Sequence, residues 1–386
     1  MNDRAYKKAE VKIEIAKFER SRILNLKNID LKWLPDSVAA LSWLENLDIS
    51  NNFLTDLPST IGELSSLQSL DISENIFLEK LPEAIGQLTS LKKLIIINSG
   101  IEHLPDAIGQ LASLEKLYIG INNLRILPET IGQLTSLKHL SLFLTRLTKL
   151  PDTIGQLSSL QHLDISENTL IILPESISRL TSLQTLGLSN NHLIIIPDAI
   201  GQLTSLQSLN LSGNNLVELP ETIGKLTLLR ELDISDNNLS VLPEFISQLT
   251  LLESLNLSGN NLVELPEAIG TLTLLRELDI SDNKLTTLPE AIGQFTTLID
   301  FYISRNYLTE LPDSIGQLSS LNRLDISHNE LTALPDSVYQ LASLQYFDIS
   351  HNKLKIFPDS IWRLKSLTEI NMLNNVFSTK IRIRCV

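Results

Sequence analysis

All fifteen prolines of the chain fall at one point of a repeating phrase: Pro35, Pro58, and then Pro82 to Pro358 at an unbroken spacing of 23 residues. Proline fixes φ at about −65° and has no N–H to donate, so it is tolerated where a chain leaves a strand or opens a helical turn. A proline recurring at constant period therefore requires one structural unit recurring at that period. A chain built this way folds as a stack of equal units.

Aligned on the prolines, the phrase reads L-x-x-L-x-[IL]-x-x-N-x-L-x-x-L-P-x-x-I-x-x-L-x-x. Sixteen copies are phased, beginning at Ser21, Leu44, Leu67 and Leu91 and then every 23 residues to Leu367; the copy 67–90 carries one extra residue before Pro82. Alternation in L-x-[IL] predicts a strand with Leu255 and Leu257 inward and Asn256 outward. The asparagine that follows, Asn260 for example, both donates and accepts, which suits a turn away from the sheet. Thirteen copies have Asn there, the exceptions being Ile29, Ser99 and Thr145. After the proline, glycine sits at the centre of ten copies, including Gly270 and Gly316, which predicts a short helical or 3-10 return rather than a long helix. One unit of this size cannot bury its own leucines, so the copies are expected to stack as a single domain.

The phrase resembles the leucine-rich repeat, in its 23-residue L-P-x-x-I-G-x-L class, and is similar to repeats of bacterial, Roco-type and plant intracellular Ras-group proteins and of Ras-pathway and Scribble-type scaffolds. That resemblance implies an α/β solenoid: a horseshoe with a parallel concave β-sheet and short helical or 3-10 convex segments. It also implies protein recognition through the concave face. Roco proteins add a GTPase domain and bacterial ubiquitin-ligase effectors a catalytic cysteine domain; no counterpart of either is expected here. The organisation expected is an N-terminal helical cap over residues 1–20, a solenoid of about 16 units over 21–377, and a capping tail over 378–386. The functional expectation is a non-enzymatic protein–protein interaction module or scaffold. The alternative is an exported bacterial effector or surface virulence factor binding a host protein.

Exposed solenoid ends require caps. Residues 3–20 predict a helix with Val11, Ile15 and Phe18 on one stripe, read as a cap over the first repeat with a separate partner-binding helix as the alternative, and Trp33, Trp43 and Trp362 fall where bulky groups would close the core. The tail Lys380–Val386 alternates like a final edge strand. The start lacks an apolar signal segment, no stretch approaches a membrane span, and the single cysteine, Cys385, forms no disulfide framework, so a cytoplasmic protein is expected, with non-classical export as the exception. A net charge of −14 disfavours nucleic acid and anionic membranes as partners. Asp48, Asp71, Asp164, Asp233, Asp279, Asp325 and Asp348 share one outward strand position. They read equally well as an attraction for a basic partner and as a soluble default.

The informative positions are departures from the phrase. Three consecutive copies put apolar groups outward: Ile95 and Ile97, then Tyr118 and Ile121, then Phe143 and Leu144. Two of the three missing asparagines, at Ser99 and Thr145, belong to the same stretch. Adjacent strands would gather these six side chains into one apolar patch, the composition of a protein-binding hot spot or a self-association surface, bordered by Lys92, Lys93 and Lys116. A secondary set, Tyr302, Arg305, Arg323, His328, Tyr346 and His351, mixes aromatic and cationic groups near the C-terminus. The segments 208–239 and 254–285 are nearly identical and carry little functional information. Two histidine pairs, His139 with His162 and His328 with His351, stand at equivalent positions of neighbouring copies, but neither forms a triad or a complete set of metal ligands. No phosphate loop, dinucleotide fingerprint or zinc-protease motif is present, and no cofactor is expected.

Overall fold

The computed structural model describes residues 4–356 and 359–377. Two compact units divide the chain, residues 1–193 and 194–386. The 23-residue phrase runs through the boundary unbroken, inside the copy 183–205.

Both units are built alike. In the first, a helix (Arg4–Glu19) precedes eight three-residue strands, from Ile23–Asn25 to Thr185–Gly187; in the second, eight strands run from Ser208–Asn210 to Glu369–Asn371. The strand pairs described are parallel and join the same position of successive copies: Lys93 lies beside Lys116, Leu94 beside Leu117, and Ile95 beside Tyr118. The strand-centre residue, such as Leu94 or Leu232, points into the core, and the next inward residue, Ile96 or Ile234, completes the alternation.

Among the described residues, a five-residue 3-10 segment follows each proline from Pro35 to Pro335. Pro58 is extended, at φ −66° and ψ 148°, and its carbonyl accepts the N–H of Ile61 at 3.0 Å. The position needs a fixed φ and an acceptor but no donor, which is what proline supplies. The recurring glycine serves close approach rather than backbone freedom. A Cβ on Gly132 would lie 2.5 Å from the carbonyl oxygen of Thr153 and 2.7 Å from Oε1 of Gln156, both in the next copy.

The asparagines form the expected ladder. Asn75 Oδ1 accepts the N–H of Leu54 at 3.1 Å, and its Nδ2 donates to the carbonyls of Ile49, Ile72 and Ser73 at 3.1, 2.9 and 3.2 Å. One buried amide thus satisfies backbone groups of two copies, groups that would be expensive to leave unpaired. The extra residue of copy 67–90 alters this locally. Leu78 N–H bonds the carbonyl of Asn75 at 2.9 Å, within its own copy, and the next ladder position is only Ser99, whose Oγ donates to Ile72 O at 3.3 Å. Gly100 follows because a Cβ there would lie 2.8 Å from the displaced carbonyl of Ile76.

At the N-terminus the helix packs on the first strand and first 3-10 segment, but with the opposite face from the one expected. Ala5, Ala9, Ile13 and Ala16 are buried, whereas Val11, Ile15 and Phe18 are exposed, Phe18 by 91%. Alanines let the helix backbone approach the first repeat closely, and two tethers hold that face down: Ser37 Oγ donates to Glu10 at 2.7 Å and Lys12 Nζ to the carbonyl of Asn25 at 2.8 Å. The tryptophans do not close the core either. Trp33 and Trp362 are exposed, and Trp43 lies half-buried with its Nε1 donating to Ser21 O at 3.2 Å and Arg20 over its ring. The tail Lys380–Val386 and Cys385 lie outside the described residues.

Candidate functional site

Most copies give the outward face of the sheet a polar surface with a structural purpose. The aspartates of the D-I-S phrase accept the backbone N–H two residues on: Asp71 from Ser73 at 2.9 Å, Asp164 from Ser166 at 3.0 Å, Asp325 from Ser327 at 2.9 Å. Asn210 and Asn256 do the same from Ser212 and Ser258. These are Asx turns that supply an acceptor where the chain leaves the strand. Burial pushes the Asp279 carboxyl up, opposed by the hydrogen bond from Ser281. The row of carboxylates is thus accounted for by backbone satisfaction.

Copies 91–159 break this pattern. Ile95, Tyr118 and Ser141 replace the Asx residue on three adjacent strands, in register. Ile97 and Phe143 stand two residues further on, also outward and half-buried. Between them the equivalent residue is Gly120, and the Phe143 ring occupies the space a Cβ on Gly120 would need. Ile121 and Leu144, exposed by 37% and 44%, complete the patch. Of the six side chains singled out in the sequence, Ile95 and Tyr118 share one strand position, Ile97 and Phe143 stand two residues past that position, and Ile121 and Leu144 occupy the column that follows the strand, all in three neighbouring copies.

Ile121 and Leu144 have a further property that their apolar character alone does not reveal. The residue before the ladder position has positive φ in all sixteen copies, between 51° and 65°. Fourteen of these residues are Asn, Asp, Glu, Gly, Arg or His; the two exceptions are Ile121 at 55° and Leu144 at 53°. A left-handed conformation costs about 1–2 kcal/mol for an L-residue, least for Asn and Gly, and a β-branched residue there is an outlier. The residue type at this position was the signal in the sequence.

Basic groups border the patch on the strand side. Lys93, Lys116, His139 and His162 are aligned on adjacent strands. Lys138 pairs with Glu115 at 3.0 Å, and this pairing lowers the Glu115 carboxyl. His139 and His162 are stacked, with ring centroids 4.4 Å apart and planes 11° from parallel. Burial, then the charge of His162, Lys116 and Lys138, lowers the His139 imidazole. Ring nitrogen lone pairs lie in the ring plane, so two stacked rings aim them side by side rather than at a common point. Among the described residues no three His, Cys, Asp or Glu groups are arranged to hold a metal ion.

The secondary set separates into two groups. Arg323 lies over the Tyr346 ring, 5.1 Å from its centroid, and donates to the Tyr302 hydroxyl at 3.4 Å, all on the strand face. Arg305, His328 and His351 instead occupy the left-handed column, where Arg305 pairs with Asp282 at 3.6 Å and the two imidazoles stack at 3.9 Å. That column lines a groove of about 720 Å³ together with Lys284, Tyr307 and Lys353.

Family models for the leucine-rich repeat region match residues 7–97, 74–146 and 128–213, and models for the leucine rich repeat match five overlapping segments from 204 to 377. The chain belongs to the leucine-rich repeat family. A leucine-rich repeat protein of Leptospira interrogans has a solved structure that is 38% identical, with a TM-score of 0.88 over 94% of both chains. The plant peptide hormone receptor RGFR1, solved in complex with RGF2, is 29% identical, with a TM-score of 0.72 over 94% of this chain and 68% of that one. The repeat ectodomain of a membrane receptor kinase of Arabidopsis thaliana, solved in complex with CASPARIAN STRIP INTEGRITY FACTOR 2, is 30% identical, with a TM-score of 0.72 over 94% of this chain but 48% of that one. No curated protein sequence matches. Among the described residues no helix is long and apolar enough to cross a membrane.

Proposed function

We propose that this leucine-rich repeat protein is a non-enzymatic interaction module that binds a protein partner on the outward strand face of copies 91–159. The observation that carries the reading is the pair Ile121 and Leu144. Both spend conformational energy to present an apolar side chain where the other fourteen copies place polar residues or glycine. Phe143, Tyr118 and Ile95 extend the same surface, giving aromatic and aliphatic anchors on a rigid sheet, the composition of an interface hot spot. The plant receptor structures, solved with their ligands, support a protein partner for this architecture. Cytoplasmic residence is part of the proposal and rests on the sequence, with its single cysteine, Cys385.

The test is affinity capture from a soluble extract of the source cell, comparing wild type with the double variant Ile97→Asp/Phe143→Asp. Partners bound by this face are captured by wild type and lost from the variant. Identical partners on both proteins would remove the patch from the account.

A further inference from the structure

We infer that the partner docking on copies 91–159 presents an acidic segment flanked by large apolar side chains, even though this chain is itself acidic; the inference rests on reading that face as the binding site. A net charge of −14 by itself favours cationic partners. Two lysines, Lys93 and Lys116, stand side by side next to the patch, although Asp71 and Asp164 flank it in register with Ile95 and Ser141. Lys93, Lys116, His139 and His162 occupy one strand position in four successive copies, whereas in the second unit the same position holds Glu231, Glu277, Asp300 and Glu369, with Arg323 as its one base. Among the described residues Lys93 and Lys116 make no ion pair; Glu115 is engaged by Lys138, Asp71 accepts the N–H of Ser73, and Asp164 accepts the N–H of Ser166.

The acids that other copies carry are missing here. After the strand-centre leucine stand Ile95, Tyr118 and Ser141 in place of aspartate, and the left-handed residues are Asn98, Ile121 and Leu144. Two lanes therefore run side by side: a basic one through Lys93 and Lys116, and an apolar one through Ile95 and Tyr118, with the Phe143 ring beside Gly120 just past the strand. Residues two apart along a strand are separated by about 7 Å, and neighbouring strands by about 4.8 Å. One segment laid across the strands covers both lanes, with carboxylates over the lysines and bulky groups over the patch. Aligned lysines this close, well within the Debye length of about 8 Å, repel one another. A carboxylate relieves that repulsion, and a cationic partner worsens it.

A random peptide library displayed on phage distinguishes the possibilities. It is selected in parallel on wild type, on Lys93→Glu/Lys116→Glu, and on Ile121→Asn/Phe143→Ser, each first checked by circular dichroism. The wild-type pool should become net negative and enriched in Leu, Phe or Trp. The charge-reversed protein should enrich net positive peptides, and the third variant should lose the wild-type pool. For one enriched acidic peptide, each lysine reversal should weaken binding about fivefold at low salt, with the difference shrinking at high salt. A wild-type pool that depends on Phe143 but is neutral or basic overturns the acidic-partner inference and leaves the binding face standing. A pool unchanged by Ile121→Asn/Phe143→Ser overturns the binding face itself. No enrichment on wild type counts against both.

Discussion

Replacing Ile121 by Asn should abolish partner binding while leaving stability almost unchanged, and the two halves of that statement come from different parts of the structure. Asn occupies the left-handed position in five other copies, at φ near that of Ile121. Relief of the backbone conformation is worth about 1–2 kcal/mol. Against this stands lost burial. Ile121 is 37% exposed, so roughly two-thirds of the ~1.5–3 kcal/mol for a fully buried side chain is forfeited, or ~1–2 kcal/mol. The terms cancel to within about 1 kcal/mol. Its neighbour Ile119 is fully buried, and Ile119→Ala should cost ~2–5 kcal/mol through cavity formation. A long array need not unfold as one unit, so urea midpoints should be paired with amide hydrogen exchange across copies 114–159, which reads local stability. If Ile121→Asn lowers local stability by more than about 2 kcal/mol, the side chain is held as core and the argument from its conformation fails.

The helix packing predicts that Phe18→Ser leaves the unfolding midpoint within ~0.5 kcal/mol, whereas Ile13→Ala costs ~2–4 kcal/mol; equal losses would restore the exposed stripe as the packed face. In the ladder, Asn168 Oδ1 accepts from Thr145 N, Thr145 Oγ1 and Leu147 N at 3.2, 2.9 and 2.8 Å. Asn168→Ala should therefore cost ~3 kcal/mol or more, against ~1 kcal/mol for Ser99→Ala with its single 3.3 Å bond; thermal unfolding compares them. The His139 imidazole is depressed first by burial and then by neighbouring positive charge, so the folded state favours its neutral form. The stability this confers is present above the ordinary histidine value of about 6.5 and is lost as pH falls through the lower folded value. An NMR titration should place His139 below a free imidazole, and Lys116→Gln should move it upward; a midpoint at or above the ordinary value would contradict the packing.

The periodic features were legible because each repeats a single physical requirement in thirteen or more copies. Pro58 marks the strand exit, Asn75 the bridging amide, and Leu94 the inward strand position, and all three are found where the phrase places them. The features that were missed belong to the chain's ends or depend on contacts between copies. The amphipathic stripe of the helix pointed to Val11, Ile15 and Phe18, but close packing selected the alanine face, since a small side chain brings the helix backbone nearer the first repeat. Tryptophan size suggested a core plug, although Trp33 and Trp362 lie on the surface. The recurrent glycine pointed to a short return segment, as found, but its steric reason at Gly132 is the neighbouring copy's Thr153 carbonyl and Gln156 side chain, a contact between copies that no single copy displays. At the candidate site the outward positions of Ile95, Ile97, Tyr118 and Phe143 followed from period two. Ile121 and Leu144 stand off that alternation, and the left-handed backbone beneath them shows in the sequence only as polar residues or glycine at the other fourteen equivalent positions, a signal whose meaning comes from the conformation.

The central claim, that partners dock on copies 91–159, is tested most directly by hydrogen exchange on the complex with a captured partner. The account predicts new protection concentrated between residues 93 and 146, with the segments around Arg323 and Tyr346 unchanged. Protection confined to residues 300–353, with none around Tyr118 and Phe143, would contradict it.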